Sequence, residues 1–277
     1  MNSVKVSRWW TVAGVVIVIY SFVPLLWMIS LAFKSPGEIV SGNAHFLPQS
    51  WTLGNFSTVF SQSLFTRALI NSIGISLIAT LLSVVVAMFA SYAIARLEFR
   101  GKKLLLSLAL GIAMFPQAAL VGPLFNMWRS FGIFDTWIGL IIPYMTFALP
   151  LSIWTMSAFF KQIPWEMEHA AQVDGATAWQ AFRKVIIPLA APGVFTTAIL
   201  TFFFCWNDFL FAISLTSTNR ARTVPAALAF FQGASYFESP VPYVMAASVV
   251  VTIPVVILVL AFQRKIVAGL TSGAVKG

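Results

Sequence analysis

Charge is scarce in this sequence. Only 9% of the 277 residues are charged and only 8 are acidic, whereas about a quarter of an ordinary soluble domain is charged. A chain so poor in charge cannot solvate the surface of a large soluble domain, so none is expected within it. Cysteine is nearly absent too: the lone Cys205 excludes an intramolecular disulfide, and its place in an apolar run reads as a small core residue. No P-loop, nucleophile elbow or metal-ligand spacing occurs. The chain is therefore expected to bind no cofactor or metal and to hydrolyse no nucleotide itself. The net charge of +9 comes without the aromatic and basic interleaving that would suggest nucleic acid.

Apolar residues fill the space that charge leaves. They make up 59% of the chain, with a mean hydropathy of +0.89, which is the composition of a polytopic membrane protein. Crossing the hydrocarbon core takes about 20 apolar residues per helix. Six such stretches occur, roughly Trp9 to Phe33, Ala68 to Ala95, Leu104 to Phe125, Trp137 to Phe160, Gly193 to Leu215 and Tyr243 to Phe262. The first follows Lys5 and Arg8 like a signal sequence, but it is too long for one and lacks a small-residue cleavage site, so it reads as an uncleaved first helix. The fold class is thus all-α, a single membrane domain over residues 1–277 with six transmembrane helices.

Basic residues set the orientation. With both termini in the cytoplasm, the inner segments hold Lys5, Arg8, Arg96, Arg100, Lys102, Lys103, Lys161, Arg183, Lys184, Arg264, Lys265 and Lys276. The outer segments hold Lys34, Arg67, Arg129, Arg220 and Arg222. Twelve against five satisfies the positive-inside rule. The two histidines, His45 and His169, then fall on opposite sides and cannot share a metal.

Residues 164–188, PWEMEHAAQVDGATAWQAFRKVIIP, lie on the inner side in this topology. Pro164 suits a first helical position, Glu166 and Glu168 suit the positive end of the helix dipole, and Gly175 can close the helix in the left-handed conformation. A short helix from Pro164 to Asp174 follows. Thr177 with Gln180 three residues on forms a capping box for a second helix, which Pro188 is expected to end. Ala170 and Ala171 leave the first helix nearly bare on one side, open to close approach by another protein.

This string resembles the coupling motif of the permeases of binding-protein-dependent ABC importers: Glu-Ala-Ala, three residues, Gly, nine residues, then Ile, any residue and Leu-Pro. Here Ala170 and Ala171 precede three residues and Gly175, and nine more lead to Val185, Ile186, Ile187 and Pro188. The glutamate position holds His169, with Glu168 one place earlier, so no salt bridge is carried over from that position. The resemblance implies a type I importer permease fold, with Glu168, His169, Ala170, Ala171, Asp174 and Gly175 coupling to a separate ATPase. ATP and Mg would be bound there, on the partner.

The tail QRKIVAGLTSGAVKG, residues 263–277, is similar to the C-terminal end of the smaller permease of maltose-type sugar importers, which reaches between two ATPase subunits. That likeness implies an interface role for Gly269, Thr271, Ser272 and Gly273. Composition alone reads as a frayed terminus. The resemblance extends through NSIGISLIAT, ARLEFRGK at 95–102 and WNDFLFAISL from Trp206. It is closest to the trehalose importer permeases of mycobacteria and related actinobacteria. It implies a subunit of a bacterial plasma membrane importer for a disaccharide, trehalose first and maltose or another oligosaccharide as the alternative. The partners implied are a second permease, two ATPase copies and an extracytoplasmic sugar-binding lipoprotein, which would dock on outer segments Lys34 to Arg67 and Asn219 to Tyr243.

Asn71, Gln117, Asn126, Asn207 and Asp208 are polar candidates for a sugar path, with Trp128, Tyr144, Phe204 and Trp206 as faces on which a sugar ring could stack. Aromatics at these depths also suit a membrane-interface belt. For Asp208, cavity lining, interhelical hydrogen bonding and proton relay all stay open. Prolines 116, 123, 143, 150 and 254 permit kinks without requiring them. A secondary carrier would need an ion site and an internal repeat of its membrane helices, for which the sequence offers only Asp208 and no clear repeat. A non-transporting scaffold leaves the coupling motif unexplained.

Overall fold

Long apolar runs in a bilayer must satisfy every backbone amide internally, and helices do so within one segment. The computed structural model describes residues 8–41, 45–231 and 239–274. In chain order these form α1 (Arg8–Ala32), α2 (Pro36–Val40), α3 (Gly54–Ser61), α4 (Ser63–Arg96), α5 (Lys102–Ala113), α6 (Gln117–Phe131) and α7 (Trp137–Gln162). They continue as α8 (Trp165–Val173), α9 (Ala178–Ala181), a π-helical turn (Phe182–Ile186), α10 (Ile187–Trp206), α11 (Leu210–Leu215), α12 (Val224–Leu228) and α13 (Val241–Ala274). No strand occurs among the described residues.

Among the described residues five helical runs are long and apolar enough to span a membrane: Arg8–Ala32, Ser63–Arg96, Trp137–Gln162, Ala178–Trp206 and Val241–Gln263. The sixth is the pair α5 and α6, bent by 87°. The stretch Leu104 to Phe125, read from sequence as one span in which prolines permit a kink, is thus two helices broken at Pro116. Pro116 has no N–H to continue the ladder, and it caps α6 in an extended conformation instead.

One correction concerns the fifth stretch, expected at Gly193 to Leu215. The helix starts much earlier, because Pro188 does not end it. Pro188 sits in the first turn of α10, directly after the π turn in which the Ile187 amide reaches back to the Phe182 carbonyl. A proline ring clashes with the carbonyl four residues before it in a regular helix. The widened turn gives that ring room, so α9, the π turn and α10 run on as one rod. The rod stops at Asn207, and α11 is a separate short helix.

The chain forms two compact units. In the first, residues 1–66 and 228–254, Asn55 ties the end of α1 to α3 by donating to the carbonyls of Ala32 at 2.8 Å and Lys34 at 2.7 Å. Lys34 is buried, donates to the His45 carbonyl and rests over the Trp27 ring. Phe65 packs edge-on against Phe60 and Phe231.

In the second, residues 67–227 and 255–277, α4 buries a row of small polar side chains that includes Ser72, Ser76, Thr80, Ser83 and Ser91. Small residues let helix backbones approach closely in a membrane. Ser91 donates to the Ile153 carbonyl at 3.0 Å, and Ser152 of α7 meets Thr201 of α10 at 2.8 Å. One apolar core gathers Ile75, Leu140, Tyr144, Phe147 and Phe211, and another gathers Val84, Met156, Phe160, Phe182 and Ile186. The second of these cores supports the 164–188 segment.

Candidate coupling site

The segment 164–188 is a helix, a tight turn and a second helix, each junction closed by local hydrogen bonds. Pro164 caps α8 rather than entering it. At the far end the Ala176 amide donates to the Ala171 carbonyl at 2.9 Å and the Gly175 amide to the Gln172 carbonyl at 3.0 Å, the paired bonds of a Schellman motif. Gly175 adopts φ +88°, the left-handed conformation that such an ending demands. One residue separates it from Thr177, whose hydroxyl accepts from the Gln180 amide at 3.3 Å while the Gln180 side chain accepts from the Thr177 amide at 2.9 Å. The turn is therefore short and saturated with hydrogen bonds.

Glu168 fastens α8 to the end of α4. Its side chain is buried, with one oxygen 3.5 Å from Arg96 Nε and the other accepting from the Tyr92 hydroxyl. Arg96, also buried, donates through Nη2 to the Ile163 carbonyl at 2.8 Å and lies over the Trp165 ring at 4.6 Å. Two buried charges thus compensate each other and are further held by hydrogen bonds, the condition under which such a pair is tolerated. Phe182 packs among Phe89, Tyr92 and Trp179, with its ring 4.5 Å from that of Tyr92. Together these contacts lock α8, α9 and the end of α4 into one body.

Apart from Trp165, which Arg96 covers on one side, the outer face of α8 makes none of these contacts. Trp165, Met167, Ala170, Gln172 and Val173 are exposed, as is His169, whose ring lies 5.9 Å from that of Trp165. Of the residues grouped by sequence, Ala170 faces outward, Ala171 is half-buried, Asp174 and Gly175 form the turn, and Glu168 faces inward. The sequence missed Tyr92 and Arg96 as partners of Glu168. Arg96 counted only toward topology, and a pairing across more than 70 residues leaves no linear spacing to find.

A family model described as the binding-protein-dependent transport system inner membrane component matches residues 79–272. The chain belongs to that family. It is 55% identical over 98% of its length, and 98% of the relative's, to the trehalose transport system permease protein SugB of Mycobacterium tuberculosis. It is 40% identical over 96% of its length, and 95% of the relative's, to the trehalose/maltose transport system permease protein MalG of Thermococcus litoralis. A similar fold occurs in the crystal structure of a bacterial ABC transporter that imports the acidic polysaccharide alginate, with a TM-score of 0.80, 23% identity and coverage of 95% of this chain and 98% of that one. The protein is an ABC importer permease, a transport component of the inner membrane.

Other candidates of this permease are scattered. Asn71, a sugar-path candidate by sequence, is instead a buried cross-brace: it donates to the carbonyls of Asn219 at 3.1 Å and Arg222 at 3.0 Å and accepts from the Trp137 indole at 2.9 Å. Trp128 is buried and donates to the Gly139 carbonyl, while Trp206 is buried and stacked on Phe202. Neither offers a free face to a sugar ring. Tyr144 is fully buried with Asp208 and Thr223 as polar neighbours, and Asp208 accepts from the Ala212 amide at 3.1 Å, which holds the first turn of α11. Asn207 is exposed and bonded to the Phe203 carbonyl, Asn126 is exposed, and Gln117 and Phe204 are half-buried. Phe204 lines a small depression with Ser152, Thr155, Thr197 and Thr201.

In the tail, the backbone of α13 stays helical through Ala274, taking in Gly269, Thr271, Ser272 and Gly273. Residues 275–277 lie outside the described residues, as do residues 232–238 of the outer segment expected to meet a binding protein.

Proposed function

We propose that this permease carries a disaccharide, trehalose first, across the bacterial plasma membrane as one of two different permease subunits in a complex with two ATPase copies and an extracytoplasmic sugar-binding lipoprotein. ATP and Mg bind on the ATPase. Both termini and the 164–188 segment are cytoplasmic in this reading, in keeping with the distribution of Lys and Arg. The trehalose assignment is supported by the names of the two relatives, and maltose is the first competitor.

The observation that carries the reading is the clamp on α8. A helix of nine residues, about 13 Å long, presents a bare outer face while Glu168, Arg96, Tyr92 and Phe182 bind its inner face to a membrane helix. Motion of an ATPase pressed on that face passes to α4 and to the α9–α10 rod without being absorbed by a loop. His169, Ala170, Ala171, Asp174 and Gly175 make the contact and its turn, and Glu168 anchors it. Gly269, Thr271, Ser272 and Gly273 complete the ATPase contact from the tail. Such coupling requires the ATPase to favour one of two membrane arrangements.

Proteoliposomes containing the complete complex and labelled trehalose test this. Uptake is expected to require internal ATP and binding protein, with unlabelled trehalose competing better than maltose. Equal or stronger competition by maltose replaces the sugar; absence of ATP-dependent uptake of any sugar rejects the importer reading.

A further inference from the structure

At the opposite end of α4 from the coupling site, a surface loop is fixed from behind and basic in front. Arg67 and Arg96 stand on this one helix about 43 Å apart by its rise per residue, which matches a bilayer with its headgroups. Behind the loop, Asp135 (φ +56°) bonds its amide to the Leu215 carbonyl at 3.1 Å. Its carboxylate accepts from the amides of Ser217 at 3.0 Å and Thr218 at 3.2 Å and from the Thr218 hydroxyl at 2.6 Å. Asn71 holds the carbonyls of Asn219 and Arg222, and Ser72 accepts from the Val224 amide at 2.8 Å. In front, Arg67, Arg220 and Arg222 line an open cleft of about 620 Å³ with Ser217, Thr218 and Asn219. Arg67 and Arg220 are exposed, while Arg222 is half-buried and donates to the Ser217 carbonyl at 2.8 Å.

Surface loops are ordinarily the mobile part of a fold. Here residues of α4 and the turn before α7 are spent on holding six residues in place, and what they hold is an array of guanidinium groups. Asp135 already accepts three hydrogen bonds from the loop, and the charged residues that line the cleft are all arginines. Guanidinium forks match carboxylates in two-point geometry. A fixed array suits carboxylates fixed on a protein surface; lipid headgroups, which diffuse, would need no such scaffold.

We infer that the cleft of Arg67, Arg220 and Arg222 docks a carboxylate-bearing rim of the extracytoplasmic protein that delivers the sugar. This rests on the importer reading above and adds the chemistry of the contact. Charge at such a rim acts mainly on association and its salt dependence.

The test uses the complete complex in proteoliposomes, with the binding protein titrated against ATPase stimulation at low and physiological salt. Arg67→Gln with Arg220→Gln is expected to raise the half-saturating binding-protein concentration about tenfold at low salt, to flatten its salt dependence and to reach the same maximum at saturation. Lys at both positions, which keeps the charge and loses the fork, is expected to fall between. Arg222 is left intact because it holds the loop. Unchanged half-saturation overturns the proposal. So does a lowered maximum at unchanged half-saturation, or a wild-type response that follows the fraction of anionic lipid instead of the binding protein. If the wild-type complex shows ATP-driven uptake and the variants share its half-saturating binding-protein concentration, the cleft alone is refuted; if the wild type shows no uptake, the importer reading falls first.

Discussion

A carboxylate only 5% exposed has to be compensated, and Glu168 of α8 is compensated by Arg96 and Tyr92 at the end of α4. Replacing Glu168 by Gln keeps the shape and removes the charge, which leaves Arg96 buried without a counter-ion. Breaking a buried pair on one side costs about 3 kcal/mol. Glu168→Gln is therefore expected to lower the melting temperature of the purified complex and to uncouple ATP hydrolysis from uptake. Adding Arg96→Met should recover much of the stability but not the coupling, and a melting temperature unchanged by Glu168→Gln would show that the pair does not anchor α8. The linear motif has its glutamate at the position of His169, and nothing in it gave a direction to Glu168, one place earlier. Residue identity was legible, but the inward turn of Glu168 depends on Tyr92 and Arg96, which lie one helical turn apart on α4 and meet it only after folding. Asn71 fared the same way: a polar side chain in an apolar run reads as a path residue until its three partners are in view.

At the scale of elements, the punctuation was legible where it is chemical and local. Gly175, Thr177 and Gln180 mark the helix end, the turn and the next start, and the structure has the left-handed glycine and both bonds of the capping box. No atom would crowd a Cβ at Gly175, so the cost of a side chain there is that of the backbone alone, about 1–2 kcal/mol for a β-branched residue. Gly175→Val is expected to abolish ATP-dependent uptake with assembly retained, while Gly175→Asn, which visits this conformation readily, should keep most of it. Equal activity in both variants would show that the turn need not be rigid. The π turn was not legible, because Pro188 reads as a stop and only the widened turn before it lets the helix continue. Pro188→Ala removes the ring that needs the widened turn, and closing that turn to a regular helix with every residue kept should swing α8 and α9 by about 100° relative to α10. Phe182 would leave its site among Phe89, Tyr92 and Trp179. Loss of uptake at unchanged helicity by circular dichroism is expected; full uptake would make the π turn incidental.

For the whole molecule, hydropathy counts spans well and shapes them poorly. Six apolar runs correspond to five long helices and one bent pair, but neither the 87° break nor the start of the fifth span at Ala178 follows from counting apolar residues. The same scale decides what energises transport. A carrier driven by a proton gradient needs an ionisable group in the membrane that is reachable from each side in turn. Among the described residues the buried acids are Glu168 and Asp208, and both are committed, the first to Arg96 and the second to the Ala212 amide that starts α11. An asparagine at 208 can accept the same bond through its side-chain oxygen, whereas alanine cannot and should cost about 1 kcal/mol. Asp208→Asn is thus expected to keep near wild-type uptake and Asp208→Ala to lose stability before activity. In the same proteoliposomes a protonophore should leave uptake intact, and withdrawal of ATP should stop it. Uptake that collapses with the gradient, or that Asp208→Asn abolishes in a stably assembled complex, would move Asp208 from a structural post to a proton relay and the driving force from the ATPase to the membrane.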